Sequence, residues 1–403
     1  MSARVVILGG GVAGLEALLA LHDLAGERAQ LTLVSREPDF LYKPLLVEEP
    51  LGLEPAERHE LAPLAAELGA DFVNQAAAAV DPARHLVTLA DGSELPYDKL
   101  VVCLGGRYRP ALAHAHTFPS TEEPLDLERM LAGDDAKRIA FVVPPGVTWS
   151  LPLYELALMA QTRARALGSD SELTLITPED APLAAFGVAA SAAVAEMLAA
   201  RGIAIEAGAH AREEEGGGRL LLSPGQRRLE FDEVVALPVM EGPALPGLPA
   251  DASGFIPIDP HTRVVGVDDV YAAGDGTDFP LKQGGLGTQQ ADAAAEHIAH
   301  GLGAAVSPEP FRPVLRGKLL TGDESLHMRS EIGGGGGEGE ASPDCLWWPP
   351  HKISGRYLAP FLYRSEVGEP EPPAGSLDVE VQLPKEWHAE PMAIDVDGSP
   401  RVD

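Results

Sequence analysis

The sequence predicts an α/β fold with two three-layer units, each a parallel sheet covered by helices, followed by a C-terminal region. Three observations predict this fold. A strand–glycine turn–helix pattern opens the chain, a second strand–turn–helix pattern begins near Arg138, and an apolar strand starting at Val270 ends at Gly274 and Asp275. With 403 residues the chain is too long for one hydrophobic core, so two or three packed units are expected.

The first unit opens with a βαβ pattern. Residues 4–8 predict a short buried strand, residues 15–24 a helix with small and aliphatic side chains, and residues 31–34 a second strand. This length matches a dinucleotide-binding βαβ unit. The next elements predicted are a helix at residues 61–68 and short strands near Phe72, at 86–89 and at 99–104.

Gly9, Gly11 and Gly14 lie between the first strand and the helix. At this spacing Gly9 permits a tight turn, Gly11 lets the backbone approach a pyrophosphate, and Gly14 lets the helix pack closely on the strand. The N-terminus of the helix then faces the phosphates with free N–H groups and partial positive charge. The turn therefore predicts a dinucleotide site.

An acidic side chain that binds the ribose is expected about twenty residues further on, at the end of the second strand. No acid stands directly there, because the strand runs into Ser35 and Arg36. Glu37, two residues late, is the nearest candidate, and Ser35 could donate a weaker hydrogen bond. A cofactor contact and an ordinary surface position are equally compatible with Glu37.

Two further motifs follow the glycine turn. Residues 97–106 contain an apolar strand that ends in two glycines, and Asp275 ends another apolar strand. Residues 282–287 then open a helix predicted over residues 287–300. In this order the motifs resemble those of the FAD-dependent pyridine nucleotide-disulfide oxidoreductase superfamily, whose members have two dinucleotide-binding domains.

The resemblance implies bound FAD and two Rossmann-like domains, the FAD domain being interrupted by an inserted second one. In that family the residue matching Asp275 meets the ribityl–phosphate chain, and the helix after it faces the pyrimidine end of the isoalloxazine. The cofactor-binding residues implied here are Gly9, Gly11, Val12, Ala13, Gly14, Glu37, Lys43, Val80, Gly105, Arg107, Gly274, Asp275, Lys282, Gln283 and Gly284.

The domain organisation follows from this resemblance and from composition. Residues 1–120 and 246–310 are expected to form the FAD-binding domain, and residues 121–245 the inserted Rossmann-like domain. Residues 311–365 form a C-terminal region, which contains a flexible glycine-rich loop at 333–340. The acidic, proline-rich residues 366–403, called the acidic tail below, are expected to be solvated and partly disordered.

The inserted domain has an altered nucleotide turn. NAD(P)H-using members of the superfamily carry a second glycine turn here, but Pro144 replaces its first glycine and lacks an N–H. Trp149 replaces the third glycine, and only Gly146 remains. Standard pyridine-nucleotide binding is therefore not expected. The elements predicted around this turn are strands at residues 138–143 and 173–176 and helices at 153–167 and 184–201.

Two segments, residues 40–46 and 347–360, are similar to sulfide:quinone oxidoreductases and type II NADH dehydrogenases. An altered, proline-rich second turn is also similar to sulfide:quinone oxidoreductases and flavocytochrome sulfide dehydrogenases. The sulfide oxidisers use two cysteines, and Cys345 could stand for the C-terminal one. Thr148 and Trp149 stand where the other is expected, so a persulfide relay between two thiols is not expected.

Cys345 and Lys282 are the candidate catalytic residues. The chain has two cysteines, far apart in sequence, so no redox disulfide is expected beside the flavin. Cys103 lies in an apolar strand and is expected to be a buried, inert thiol. Lys282 and Lys43 could stabilise negative charge near the reduced flavin, a surface lysine being the alternative. The histidines lack metal-binding spacing, so no metal site is expected.

These observations favour a FAD-dependent oxidoreductase that passes electrons through the flavin to a quinone or another small redox acceptor. Three alternatives stay open: an NAD(P)H dehydrogenase with an atypical nicotinamide site, a flavin-binding sensor or assembly protein without turnover, and a protein that has lost FAD altogether. The net charge of −31 argues against nucleic acid as a partner. No membrane span, stable membrane anchor or secretory signal is evident, so a cytoplasmic protein is expected, and a homodimer is compatible with the sequence.

Overall fold

A computed structural model describes residues 2–120, 122–133, 136–214, 216–332, 339–368 and 380–381. The first unit is a five-stranded parallel sheet that carries the N-terminal glycine turn. Helices Val12–Ala25 and Gly284–Gly301 pack against each other on one face of it. The strands of this sheet, in spatial order, are Val270–Ala272, Lys99–Val102, Ala3–Leu8, Ala29–Val34 and Asp71–Val73.

The second unit is also a five-stranded parallel sheet. Its order reverses at Arg138–Val142, which pairs with the next strand along the chain on one side and with Glu233–Ala236 on the other. Ligands of open α/β sheets bind at such a point, outside the carboxyl ends of the strands. In spatial order the strands are His116–Thr117, Glu233–Ala236, Arg138–Val142, Glu172–Ile176 and Ala204–Glu206, with helices Leu151–Leu167 and Val188–Arg201.

A three-stranded antiparallel sheet of the C-terminal region shares a hydrophobic core with the second unit. Gly317 makes the close approach possible, because a Cβ there would lie 2.5 Å from the ring of Phe186. The sheet consists of Val314–Leu319, Leu326–Glu331 and Glu340–Ser342, and helix Leu358–Val367 follows it.

The remaining elements are short. They are strands Asp39–Leu41 with Arg58–Glu60, Ala77–Asp81 with Leu86–Leu89 and Glu94–Pro96, Arg107–Arg109 with Val239–Glu241, His210–Glu213 with Arg219–Ser223 and Arg227–Glu230, and Trp347–Trp348 with Glu380–Val381, and helices Leu61–Glu67 and Leu127–Leu131.

The α/β class with parallel sheets is confirmed, and most elements end within three residues of their predicted bounds. The helix predicted at residues 184–201 is divided: a 3-10 turn, Ala184–Phe186, precedes helix Val188–Arg201. Gly187 separates them because its φ of +91° is incompatible with a continuous helix. The domain boundaries drawn from the sequence stay predictions.

Two expectations about the C-terminal part fall largely outside the described residues. Positions 333–338 of the glycine-rich loop are among those left out, as are residues 369–379 and 382–403 of the acidic tail. Where the tail is described it is not simply solvated, because Glu380–Val381 pairs as a parallel strand with Trp347–Trp348. In the ranges that the structure covers, every helix is too short or too polar to cross a bilayer.

Candidate active site

The glycine turn has the shape that its sequence predicts. The φ of Gly9 is +112°, and a Cβ on this residue would lie 2.3 Å from the carbonyl oxygen of Cys103. A Cβ on Gly14 would lie 1.8 Å from the carbonyl oxygen of Gly9. Gly11, by contrast, faces open space at the start of helix Val12–Ala25. Gly9 and Gly14 are therefore required by packing, whereas Gly11 leaves room for a phosphate.

The start of the second helix meets this turn. A Cβ on Gly274 would lie 3.0 Å from the Cβ of Ala13, and one on Gly284 would lie 3.7 Å from Val12 Cγ1. The N–H of Gly274 donates to Gln290 Oε1 at 2.7 Å, which fixes the strand end against the helix. The N-termini of helices Val12–Ala25 and Gly284–Gly301 thus lie side by side, and their free N–H groups favour an anionic ligand.

Lys282 and Asp275 form the charged part of this cluster. Lys282 is only 5 % exposed, its ammonium donates to the carbonyls of Thr277 and Phe279 (2.8 Å to the latter), and it lies 3.7 Å from the ring centroid of Phe255. Burial lowers the pKa of Lys282 to about 8, although the charge of Asp275 opposes this shift. The alternative of an ordinary surface lysine is therefore wrong for Lys282.

The pKa of Asp275 is raised by burial, while the positive charges of Lys282 and Lys43 counteract the rise. Lys43 is exposed, so it can approach a ligand from the solvent side. Asp275 is thus a buried carboxyl that two lysines help to keep ionised. A carboxylate of this kind can accept hydrogen bonds from the hydroxyls of a sugar chain.

Gln283 connects the cluster to the C-terminal sheet. Its Oε1 accepts the N–H of Leu286 at 2.8 Å and caps the helix, and its Nε2 donates to the carbonyl of Arg316 at 3.1 Å. Gly105 lies on the other side, because a Cβ on Gly276, next to Asp275, would be 3.0 Å from its carbonyl oxygen. Both residues therefore lie close to the two helix N-termini, and their contact with a cofactor stays a prediction.

Glu37 and Arg107 are exposed and do not belong to the cluster around the two helix N-termini. Glu37 is exposed and pairs with Arg36 at 3.0 Å, in a segment held by Asn74, whose amide donates to the carbonyls of Ser35 and Arg36. Arg107 is exposed and donates to the carbonyl of Gly242 at 3.4 Å. Both side chains can reach a ligand only from the rim, and their contact with a cofactor stays a prediction.

The side chain of Val80 lies in a hydrophobic core and not in this cluster. That side chain is 4 % exposed and packs in the core around Val6, Leu8 and Val87. Its N–H donates to the carbonyl of Pro246 at 2.9 Å. The backbone donor through which Val80 could have recognised a ligand is therefore already engaged.

Neither cysteine is a prepared nucleophile, and both are free thiols. Cys103 is 6 % exposed, and burial raises its pKa to about 12, which fits the inert thiol expected from the sequence. Burial also raises the pKa of Cys345, whose Sγ donates to the carbonyl of Trp347 at 2.9 Å. A low-pKa thiolate is absent from both positions.

A cavity of about 200 Å³ lies between residues 42–45, the C-terminal sheet and the last helix. Burial lowers the pKa of His351 to about 4, so this imidazole is neutral at pH 7. The wall contains aromatic and aliphatic side chains, among them Tyr42, Leu45 and Tyr363. It also contains the polar side chains of Lys318, His351 and Lys352.

An ion pair that the sequence analysis missed supports this cavity. Lys352 Nζ lies 2.7 Å from a carboxylate oxygen of Glu155 and 2.6 Å from the carbonyl of Pro44. The other carboxylate oxygen of Glu155 accepts the N–H of Leu320 at 2.9 Å. Burial raises the pKa of Glu155, and the charge of Lys352 opposes that rise. One signal was available: Glu155 is the only charged residue among residues 151–160, the apolar first part of its helix.

A second cleft, of about 480 Å³, opens at the point where the strand order of the second sheet reverses. Pro144 and Pro145 of the altered turn and Val239 are among the residues that line it. Arg109, Arg212 and Glu213 are the charged residues that line the cleft, and Arg109 pairs with Glu241 at 2.9 Å. Within the described residues, His, Cys, Asp and Glu side chains do not gather in groups able to hold a metal ion.

Comparison with known proteins gives a family and a fold. Residues 3–297 match the family described as pyridine nucleotide-disulphide oxidoreductase. A sulfide-quinone reductase of Aquifex aeolicus is 29 % identical over 219 residues, covering 50 % of this chain and only 50 % of that protein. An NADH dehydrogenase-like protein of Mycobacterium tuberculosis is 27 % identical over 292 residues, covering 68 % of this chain and 72 % of that one.

Among solved structures, the sulfide:quinone oxidoreductase of Aquifex aeolicus superimposes with a TM-score of 0.77. The match covers 85 % of this chain and 87 % of that one at 19 % identity. At this identity the likeness establishes the shared fold.

Proposed function

Because the chain belongs to the pyridine nucleotide-disulphide oxidoreductase family, we propose that it passes electrons through bound flavin to a quinone or another small redox acceptor. FAD is the cofactor of this family, and the chain is a flavin-dependent oxidoreductase. We further propose that it works without a redox-active disulfide. The separate environments of its two free cysteines, one directly after strand Lys99–Val102 and one before Trp347, support this part.

One observation carries the proposal: two helix N-termini meet beside a glycine turn whose Gly11 faces open space. This arrangement fits the pyrophosphate of FAD, for which the helix N–H groups supply donors. Asp275 would accept hydrogen bonds from the ribityl side, and Lys282 and Lys43 would supply positive charge near the flavin. Bound FAD supplies the redox chemistry, while the protein positions it and sets the electrostatics.

The wall of the cavity beside residues 42–45 has apolar and polar parts, which supports a small, flat acceptor that carries polar groups. Tyr42, Leu45 and Tyr363 offer apolar surface, while Lys318 and the neutral His351 can form hydrogen bonds with carbonyl or hydroxyl oxygens. A quinone has this combination of a flat ring and two oxygens. The name of the Aquifex aeolicus relative, a sulfide-quinone reductase, points to the same class of acceptor.

The cleft at the altered turn favours a second candidate, an NAD(P)H dehydrogenase. It lies where α/β sheets bind nucleotides, and Arg109 and Arg212 could pair with phosphate groups. Pro144, however, lacks the N–H that a glycine turn offers to a pyrophosphate. This candidate therefore requires binding through side chains instead of the backbone.

An anaerobic flavin-reduction screen tests both candidates. The purified, yellow protein is mixed with sulfide, thiols, quinols, NADH or NADPH, and absorbance at the flavin band is followed, with free FAD as the control. The leading proposal expects bleaching by a donor other than NAD(P)H and recovery of the band on addition of a quinone. Fast bleaching by NADH or NADPH would establish the second candidate instead. No reduction by any donor would indicate a non-catalytic flavin-binding protein.

A further inference from the structure

One face of the C-terminal sheet carries the cations Arg316, Lys318 and Arg329, beside the acids Glu331 and Glu340 at its edge. Arg316 pairs across the strands with Arg329, and Lys318 pairs with His327. Opposed residues of neighbouring strands, and residues two apart on one strand, lie on the same face. These four side chains therefore share one face, called the cationic face below. Arg316 and His327 are buried, and burial lowers the pKa of His327, so the positive charge of the face comes from Arg316, Arg329 and Lys318. The opposite face packs into the hydrophobic core through Leu315 and its neighbours.

The cationic face already holds one carboxylate, that of Glu380. Arg316 donates to it through Nε at 3.0 Å and Nη2 at 2.5 Å, and Arg329 lies 3.4 Å away. The Arg316 side chain is only 5 % exposed, so this two-point contact is largely removed from water. Burial by itself disfavours the charged carboxylate, but hydrogen bonds and charge from the two arginines outweigh it and lower the pKa of Glu380.

A strand edge lies beside the cationic face. Trp347–Trp348 pairs in parallel with Glu380–Val381, and the buried Trp347 packs against the His327 ring with centroids 5.2 Å apart. An extended segment added to an exposed edge gains main-chain hydrogen bonds, while pockets for alternate side chains give specificity. The sequence around Glu380 has the matching period of two: Leu377, Val379, Val381 and Leu383 alternate with Asp378, Glu380 and Gln382.

From this geometry we infer that the cationic face and the edge Trp347–Trp348 form a binding site for an extended acidic peptide, in which Glu380 is an exchangeable intramolecular occupant. Recognition has two parts: strand addition at the edge, and a carboxylate held between Arg316 and Arg329. Because the chain has a net charge of −31, it repels acidic peptides in general. The cationic face provides a local attraction for a carboxylate that is placed at this site. The site goes beyond the proposed redox function and does not depend on it.

The test uses the full chain and a fluorescently labelled peptide with the sequence of residues 374–387, followed by anisotropy. In the wild-type chain the tail competes at high effective concentration. Glu380→Gln weakens that competitor, so the peptide should bind this variant roughly tenfold more tightly than the wild type. Glu386→Gln, which removes an acid of the same tail six residues further along the sequence, is the matched control and should behave as the wild type.

Two comparisons identify the carboxylate contact. A peptide carrying Glu380→Gln should bind the Glu380→Gln chain about tenfold more weakly than the unchanged peptide. Adding Arg329→Gln to that chain should weaken binding similarly, whereas Arg312→Gln, at a side chain that is 81 % exposed, should not. Equal affinity for the wild-type and Glu380→Gln chains, or equal affinity of the two peptides, would overturn the inference.

A measurement on the wild-type chain alone avoids dependence on any variant. Amide hydrogen exchange of the segment containing Glu380 and Val381 should be slowed in the free chain, because these residues pair with Trp347–Trp348. Saturating unlabelled peptide should displace the segment and speed its exchange. Exchange that stays unchanged at saturation would show that the peptide does not enter this site.

Discussion

Lys352 Nζ lies 2.7 Å from the carboxylate of Glu155, although 197 residues separate the two in sequence. The Glu155 side chain is fully buried and that of Lys352 is 8 % exposed. The pair joins helix Leu151–Leu167 of the second unit to the C-terminal region, beside the cavity assigned to the acceptor. It therefore links the position of one domain helix to the shape of the candidate acceptor site.

Lys352→Met should destabilise the protein by about 3–5 kcal/mol, because it leaves a buried carboxylate without its counter-charge. The double variant Glu155→Leu/Lys352→Met should lose less, since no unpaired charge remains. Urea unfolding followed by tryptophan fluorescence measures both. Arg312→Met, which removes an exposed cation from the same region, is the control, and a Lys352→Met loss no larger than this control would contradict the role of the pair.

Gly14→Ala should abolish stoichiometric FAD binding. The added Cβ would meet the carbonyl oxygen of Gly9 at 1.8 Å, so the helix and the glycine turn must move apart and the phosphate cradle is lost. The flavin-to-protein ratio of the purified variant, read from absorbance, measures this. Gly301→Ala is the matched control, because it adds a Cβ to the other helix with nothing within 4 Å. A full complement of FAD in Gly14→Ala would refute the assignment of the cradle.

The buried carboxyls Glu16 and Asp292 should make stability depend on pH. Burial raises the pKa of Glu16 to about 6, despite the N–H groups of Tyr357 and Leu358 that it accepts. Burial and the neighbouring Glu16 raise the pKa of Asp292 well above its usual value, with Arg356 opposing. The folded state thus holds these protons more tightly than the unfolded chain does.

Protonation of these two carboxyls therefore stabilises the folded state. This contribution to the free energy of unfolding is fully present below the pKa values of the unfolded chain, near pH 4, and is lost as the pH rises through the pKa values of the folded state. For Glu16 alone the loss between pH 4.5 and 6 is about 2 kcal/mol. Asp292→Asn keeps a donor toward Glu16 but cannot ionise, so its unfolding free energy should fall less between pH 4 and 7 than that of the wild type. Exposed Glu27→Gln is the control, and parallel pH curves for Asp292→Asn and wild type would disprove the coupling.

Lys282→Met should make the midpoint potential of the bound flavin more negative. In the proposed site Lys282 is a buried cation near the flavin, so its loss would disfavour the electron-rich reduced form. A shift of about 30 mV corresponds to 1.4 kcal/mol for two electrons. Spectroelectrochemical titration measures the potential. Lys99→Met is the control, since Lys99 pairs with Asp269 at the amino end of its strand, away from the glycine turn. An unchanged midpoint potential in Lys282→Met would show that the charge of this lysine does not act on the flavin.

The sequence alone identified the glycine turn and the elements around it. Gly9 is recognisable because its φ is positive, and Gly14 because a Cβ there would meet the carbonyl oxygen of Gly9; both requirements are local. The strands and helices were predictable for a related reason, since the period of apolar residues follows local backbone geometry. Lys282 and Gln283 were found because they adjoin such an element, the start of helix Gly284–Gly301.

Only the tertiary structure decided which distant side chains meet. Lys352 with Glu155, Glu16 with the amides of Tyr357 and Leu358, and Arg316 with Glu380 are pairs between segments that no sequence spacing relates. Such contacts depend on how sheets and helices pack, and the cost of burying an unpaired charge selects the partner only once packing has brought it near. The dinucleotide turn could therefore be predicted from the sequence alone, whereas the acceptor cavity and the cationic face form only when distant segments pack together.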